Sequence, residues 1–360
     1  MFQLKHISLT QFKNYTNYSV DCNASAIGIC GPNGVGKTNL LDAIYYLCFA
    51  RSYFNKTDNW NVQQGSVGFR IEGHFEQKDH IYTTTCILRE HSKKEIEVDG
   101  EVYTKLSAHI GRFPCIMVVP DDIALVNDGG EERRKFIDTL FSQLDVEYLQ
   151  QLITYNKYLQ QRNSLLKAMA EQKQPDRTLL DIYSTQLAIA GQVLYEKRAQ
   201  FLATFIPQVL AIYNNITGFD EQLELQYESE LHACNMVQLL EKQLPKDLLL
   251  QRTTAGIHKD DVLLLLNNQS FKNVASQGQK KTALFALKLA AFEMLKTTKG
   301  FSPLLLLDDV FEKLDEQRLT HLLQWVTAHD VQIFITDTHA DRLQKISTIL
   351  HKSMQMIMLS

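Results

Sequence analysis

One segment limits what this chain can fold into more than any other. Ala26-Ile27-Gly28-Ile29-Cys30 reads as a buried strand and runs directly into Gly31-Pro32-Asn33-Gly34-Val35-Gly36-Lys37-Thr38, after which Asn39 to Leu47 has helical character. A strand, a glycine-rich turn ending in Lys-Thr and a helix make up the phosphate-binding loop in the context it requires. Glycines at 31, 34 and 36 allow backbone angles that bring N–H groups around phosphate oxygens, and the helix N-terminus adds its partial positive charge. Lys37 is expected to reach the β- and γ-phosphates of ATP and the Thr38 hydroxyl to ligate Mg²⁺. Pro32, Asn33, Val35 and Asn39 complete the expected nucleotide-binding segment.

Two further pieces lie far downstream. The apolar run Leu304-Leu305-Leu306-Leu307 ends in Asp308-Asp309. A buried strand that delivers two carboxylates at its C-terminal end can place a metal-ligating acid and a catalytic base beside a phosphate loop. Asp308 is expected to hold Mg²⁺, and Asp309 to orient and deprotonate the attacking water. Alone, such a run is also how many strands end in a solvated turn; the phosphate loop gives it weight. Ser276-Gln277-Gly278-Gln279-Lys280-Lys281 precedes an amphipathic stretch from Thr282 to Leu295. By itself this is an N-capped helix start.

The rest of the chain shows how these pieces are carried. Short alternating stretches at 2–20, 69–75, 80–88 and 96–103 read as strands, with Asp99-Gly100 as a hairpin turn. Between Glu131 and about Ile216 apolar residues fall at helical spacing, with a break at Gln172 to Asp176. Strand character returns at 262–266, 304–307 and 331–335, with helices expected at 279–296 and 316–328. The expected division is an N-terminal ATPase part over 1–125, an inserted helical lobe over 126–248 and a C-terminal ATPase part over 249–360. With 45% hydrophobic residues and no apolar run long enough to span a bilayer, the chain reads as a globular cytoplasmic protein with no membrane partner. Its six cysteines show no C-x-x-C spacing, so they read as buried free thiols. A net charge of -4 means that any nucleic-acid contact has to come from a local basic patch. Arg51 and Lys56, just after the loop helix, are the candidates; Arg133-Arg134-Lys135, Lys93-Lys94 and Lys280-Lys281 read first as solvated faces or internal ion pairs.

With phosphate loop, Ser-x-Gly-Gln-like turn and paired acids in this order, the sequence resembles the ABC ATPases. The resemblance implies that Ser276, Gln277, Gly278 and Gln279 form a signature that closes, in trans, over the γ-phosphate held by another subunit. Phe12-Lys13-Asn14-Tyr15, Pro120-Asp121-Asp122, Arg133 to Asp138, Gln161-Arg162-Asn163, His258-Lys259-Asp260-Asp261, and Leu305 to Val310 followed by Leu314-Asp315 narrow it to the RecF family of bacterial recombination-repair ATPases. Ile257 and Lys259 depart from that family's usual Gly-Pro-His-Arg-Asp-Asp run, as does Lys313 before Leu314-Asp315.

This resemblance implies an α/β ABC/SMC-type P-loop ATPase head with an inserted helical lobe. It also implies an ATP-dependent homodimer that clamps gapped or single-strand/double-strand junction DNA, cooperation with RecO and RecR in loading RecA, and slow, DNA-dependent hydrolysis that resets the clamp. The switch position near Ile333-Phe334-Ile335-Thr336 falls on Asp337, Thr338 or His339, with His339 otherwise a helix cap. A membrane transporter's nucleotide-binding subunit would share the three motifs, but normally has a much shorter stretch between loop and signature than Thr38 to Ser276. An SMC-type scaffold would need a long coiled coil that the sequence does not contain.

Overall fold

The computed structural model describes residues 1–90, 93–172, 177–309 and 316–360. The expected break at Lys173 to Asp176, and the run from Val310 through Lys313 to Leu314-Asp315, lie outside them. Two compact units emerge, one of Met1–Asp122, Ile212–Gly218 and Lys281–Ser360, the other of Ile123–Ala211 and Phe219–Lys280.

In the first unit, β1 (Phe2–Phe12) and β2 (Tyr15–Asp21) form a hairpin, followed by β3 (Ala26–Cys30) and α1 (Lys37–Phe49). Next come β4 (Phe69–Gln77), β5 (His80–Leu88), β6 (Lys94–Val98), β7 (Glu101–Val102) and β8 (Cys115–Val118). Strands 1, 2 and 4 to 7 build an antiparallel sheet in the order β2-β1-β4-β5-β6-β7. Period-2 alternation drives it: Phe2, Leu4, Ile7 and Leu9 face inward, as do Phe69, Ile71 and Phe75. Asp99 and Gly100 turn the β6–β7 hairpin with φ of 53° and 82°, the two positive values that an Asp-Gly turn supplies.

The second unit contains α2 (Ala124–Asn127), α3 (Gly130–Leu144), α4 (Val146–Gln172) and most of α5 (Arg177–Thr217). It continues with β9 (Leu223–Glu228), α6 (Met236–Leu250), β10 (Asp261–Leu266), β11 (Gln269–Ser270) and α7 (Phe271–Val274). The sequence-based boundary at 248/249 falls inside this unit. Residues 249–280 group with it because β10 pairs along its length with β9 and because helix arginines hold its first residues. Arg133 grips Asp261 through Nε and Nη2, each at 2.7 Å, and buried Arg198 reaches Asp138 at 2.7 Å and Asp260 at 3.2 Å. Arg162 and Asp247, both fully buried, meet at 2.7 Å. Removing one partner of such a pair strands a buried charge, at a cost of about 3–5 kcal/mol.

Back in the first unit from Lys281 on, α8 (Gln277–Lys299) leads to β12 (Leu304–Asp308), α9 (Glu316–Thr327), β13 (Ile333–Asp337), α10 (Ala340–Leu350) and β14 (Met354–Met358). With β3 and β8 these strands form an all-parallel sheet, β14-β3-β13-β12-β8. Strands β3, β12 and β13 are buried at every position, the continuous apolar reading expected of a parallel sheet covered on both faces. Helix α1 touches strands of both sheets, so it is enclosed rather than laid on a surface. That is why Leu40, Leu41, Ala43, Ile44, Tyr45, Tyr46 and Leu47 are apolar all round instead of on one stripe. Gln332, completely buried, ties the sheets together by donating to the carbonyls of Leu4, Cys22 and Ala24 while accepting from Leu4 N at 2.7 Å.

Candidate nucleotide-binding site

The loop between β3 and α1 is shaped by its glycines. Gly36 takes the N-cap of α1 at φ 115°, where a side chain would also collide with Asn14 at 2.5 Å. At Gly31 a Cβ would meet the main-chain oxygen of Leu359 at 2.5 Å, so the chain after β14 packs directly on the loop's entry. The hairpin turn of β1 and β2 braces the other side. Asn14 donates to Val35 O at 2.8 Å and accepts from Asn39 Nδ2 at 2.8 Å, while Tyr15 OH donates to Gly36 O at 3.0 Å. Pro32, Asn33 and Gly34 are exposed at the tip.

The charged and polar groups converge at the C-terminal ends of the parallel strands. Lys37 is buried, and its ammonium folds over the loop to donate to Gly31 O at 2.8 Å and Pro32 O at 3.1 Å. Thr38 Oγ1 donates to the Asp308 carboxylate at 2.9 Å from either oxygen, although the two residues are 270 positions apart in the chain. Thr336 Oγ1, on the neighbouring strand β13, donates to Asp308 Oδ1 at 2.8 Å and accepts from the Asp309 N–H at 2.9 Å. Asp309 itself sits at φ 47°, half-buried. Burial pushes the Asp308 carboxyl up, and the Asp309 carboxylate adds to this; the Thr336 and Thr38 hydroxyls and the Lys37 ammonium oppose it.

The expected switch residues lie at the end of β13. Asp337 is buried, in register with Cys30 just before the loop, and accepts from Arg342 Nη1 at 3.1 Å and from His339 N at 2.8 Å. Thr338 is half-buried and its hydroxyl is hydrogen-bonded to His339 Nδ1 at 2.8 Å. His339 occupies the N-cap of α10, yet its side chain makes no capping bond, so the cap reading holds in position only.

The expected signature, Ser276 to Gln279, belongs to the second unit. It forms a reciprocal capping box at the start of α8: Ser276 Oγ accepts from Gln279 N at 3.2 Å and Ser276 N donates to Gln279 Oε1 at 2.8 Å. Ser276 and Gln277 are exposed, and Gly278 and Gln279 half-buried.

Among the basic runs, Lys135 is paired with Glu131 and Glu132, Lys93 with Glu95 and Lys94 with Asp58, so the ion-pair reading fits them and Arg133. Arg51 and Lys56 are both exposed on the segment after α1. The same segment holds Trp60 at 77% exposure, although the turn around it is firmly anchored. Asp58 is tied to Tyr46 and Lys94, and buried Asn61 accepts from Asn55 Nδ2 at 2.9 Å.

Sequence reading missed Asn14, Tyr15 and Thr336 as parts of this site. Asn14 and Tyr15 stood within the Phe12 to Tyr15 motif, and Thr336 with Asp337 ends the apolar run of β13; a buried polar residue there was the available signal.

Residues 3–358 match the model of the RecF/RecN/SMC N-terminal domain family. The chain is 41% identical over 351 residues to the DNA replication and repair protein RecF of Flavobacterium johnsoniae, covering 97% of this chain and 98% of that one. It is 40% identical over 340 residues to RecF of Cytophaga hutchinsonii, covering 94% and 90%. Among solved structures it resembles the recombination mediator protein RecF-ATP in the RecFOR pathway, with a TM-score of 0.86 at 30% identity over 94% of this chain and 92% of the other. The Smc head domain of Pyrococcus furiosus, at 13% identity and a TM-score of 0.54, shares the fold. A parallel sheet with this loop, an antiparallel sheet beside it and a full-length match to such relatives lead to one conclusion: the chain belongs to the RecF family.

Proposed function

We propose that the chain binds ATP with Mg²⁺ at Gly31 to Asn39, dimerises through that nucleotide, clamps gapped or junction DNA in the cytoplasm, and opens by slow hydrolysis. The observation that carries this reading is the Thr38–Asp308 contact, which joins a hydroxyl at the helix start to a carboxylate at a strand end. Both donors are hard oxygens, the kind Mg²⁺ takes from protein while substrate phosphates and water supply the remainder. Thr38 and Asp308 would hold the ion, which when bound neutralises charge on the phosphates.

The roles of the other residues follow from their positions. Lys37 exchanges the Gly31 and Pro32 carbonyls for phosphate oxygens, and the loop N–H groups bind the remainder of the phosphate chain. Asp309, its backbone pinned by Thr336, is the general base that orients water and accepts its proton. Asp337, Thr338 or His339 senses the γ-phosphate at the end of β13. Ser276 to Gln279 closes over the nucleotide of the partner subunit. The first compact unit is then the ATPase head and the second the inserted lobe.

For DNA, Arg51 and Lys56 supply phosphate contacts, and exposed Trp60 supplies a face on which an unpaired base can stack. RecO and RecR are the expected partners, with RecA loading as the outcome; the RecFOR pathway named for the solved RecF-ATP protein supports this assignment. Relatives named as DNA replication and repair proteins support it over a transporter subunit. The test is mass in solution with ADP, with ATP, and with ATP plus gapped duplex. A dimer that requires ATP and is strengthened by DNA is expected; a mass indifferent to both would overturn the reading.

A further inference from the structure

A cavity of about 340 Å³ opens within the second unit, lined among others by Arg134, Lys135, Tyr155, Arg198, His258 and Lys259. It brings together two segments that the sequence singles out and the ATPase site does not use, 133–138 and 258–261. Its cations are not alike. Arg198 is consumed by structure, donating to Tyr148 OH, Ile257 O, Asp138 and Asp260. Lys135 is held by Glu131 and Glu132. Arg134 spends one N–H on the Asp260 carbonyl at 2.6 Å and has no carboxylate partner among the described residues. Lys259 is exposed, and its ammonium has no partner among the described residues.

The remaining groups sharpen this imbalance. His258 accepts or donates with Tyr155 OH at 2.7 Å and with Thr253 O at 3.2 Å, and burial, reinforced by Lys259 and Arg134, holds it down to about 4, so it is neutral at pH 7. Of the lining carboxylates, Asp138 serves Arg198 and Tyr148, and Glu131 serves Lys135. Arg198 and Lys135 thus engage two carboxylates each, and Arg134 and Lys259 are the lining cations that no carboxylate among the described residues pairs with directly. Leu152, Tyr155 and Ile257 add apolar wall, which strengthens any ion contact made there.

We infer that this cavity is a phosphate-monoester site in which the free guanidinium N–H groups of Arg134 and the Lys259 ammonium grip a terminal phosphate. A forked donor and a point charge arriving from two segments suit an oxyanion with several acceptors. The source favoured is the 5′-phosphate of a DNA end, which rests on the DNA reading above; the other source of the same chemistry is a free phosphate or nucleotide.

The test uses the full chain, wild type and the variants Lys259→Gln and Arg134→Gln/Lys259→Gln. Binding is measured to duplexes that differ only in a 5′-phosphate or 5′-hydroxyl, and to inorganic phosphate, with ATP binding and thermal midpoint alongside. Losing one charge-assisted clamp is expected to change affinity roughly tenfold. Support is a preference of that size for the 5′-phosphate duplex in wild type, reduced in Lys259→Gln and absent in the double variant, with ATP binding intact. Saturable binding of phosphate alone, lost in the variants without any duplex preference, supports the site and assigns the free source. Wild type blind to both the 5′-phosphate and free phosphate, or variants that retain either response, overturns the inference. Binding of the 5′-hydroxyl duplex reports separately on the DNA reading itself.

Discussion

The two adjacent carboxylates of the site are given different work by their surroundings. Asp308 sits within reach of two hydroxyls at the end of a buried strand, whereas Asp309 follows it half-buried on a left-handed backbone. Asp309→Asn is expected to bind ATP and Mg²⁺ normally, lose roughly 10²-fold or more in turnover and dwell longer on DNA, because a well-placed general base contributes about 10²–10⁴-fold. Wild-type turnover in that variant would remove the role. Asp308→Asn is expected to lose Mg²⁺-dependent nucleotide binding instead. Because Asp308 is pushed up by burial and by its neighbour, its ionised form is a burden in the nucleotide-free protein. The same Asn variant should therefore unfold at a higher temperature than wild type without ligand, a shift that calorimetry reads directly. Asn14 is the residue at which motif reading stopped short: it could be singled out, but its hydrogen bonds to Val35 and Asn39 depend on a hairpin placement that no local pattern encodes. Asn14→Ala, which leaves the Val35 carbonyl without that donor, is expected to weaken ATP binding by about 1 kcal/mol, roughly fivefold, in an equilibrium titration.

Elements whose burial follows one simple period were legible, and those made by long-range pairing were not. Strands β4 and β10 alternate and, with β5, were found nearly to the residue, as was α8 from its apolar spacing. Strands β8 and β14 escaped because four or five apolar residues cannot be told from the end of a helix, and their partners β12 and β3 lie far away in sequence. The helical lobe was legible as helices, but the grouping of 249–280 with it was not, because the pairing of β10 with β9 and the arginine grips on Asp260 and Asp261 are tertiary. At the start of α8 the capping box accounts for why Ser276 and Gln279 occur where they do, and it leaves the exposed faces of Ser276 and Gln277 available. Ser276→Arg is expected to leave ATP binding by the monomer nearly unchanged and to block the ATP-dependent dimer, read by light scattering. Collapse of monomer affinity would place Ser276 in its own chain's site and end the trans assignment.

Across the whole molecule, stability should depend on acid through its buried histidines. His109 is completely enclosed, bonded to Leu47 O at 2.6 Å, and burial holds it down to about 4; His258 is held at about 4 in the other unit. In the unfolded chain both return to about 6.5, so between 6.5 and 4 the unfolded state binds more protons and stability falls as pH falls. Each group can withdraw up to about 3 kcal/mol by pH 4. His109→Gln should flatten the decline in thermal midpoint over that window; an unchanged slope would show that other groups carry it. The parallel sheet has a consequence for synthesis as well as for chemistry. Among the described residues strand β3 hydrogen-bonds only to β13 and β14, and β8 only to β12, whereas every strand of the six-stranded antiparallel sheet lies within residues 2–102. At about 5–20 residues per second, the strand that carries the phosphate loop waits roughly 15–60 s for its partners to leave the ribosome. Through that interval the nascent chain has a half-made domain with a bare apolar ribbon, so its yield in the cell should track the supply of factors that shield such ribbons.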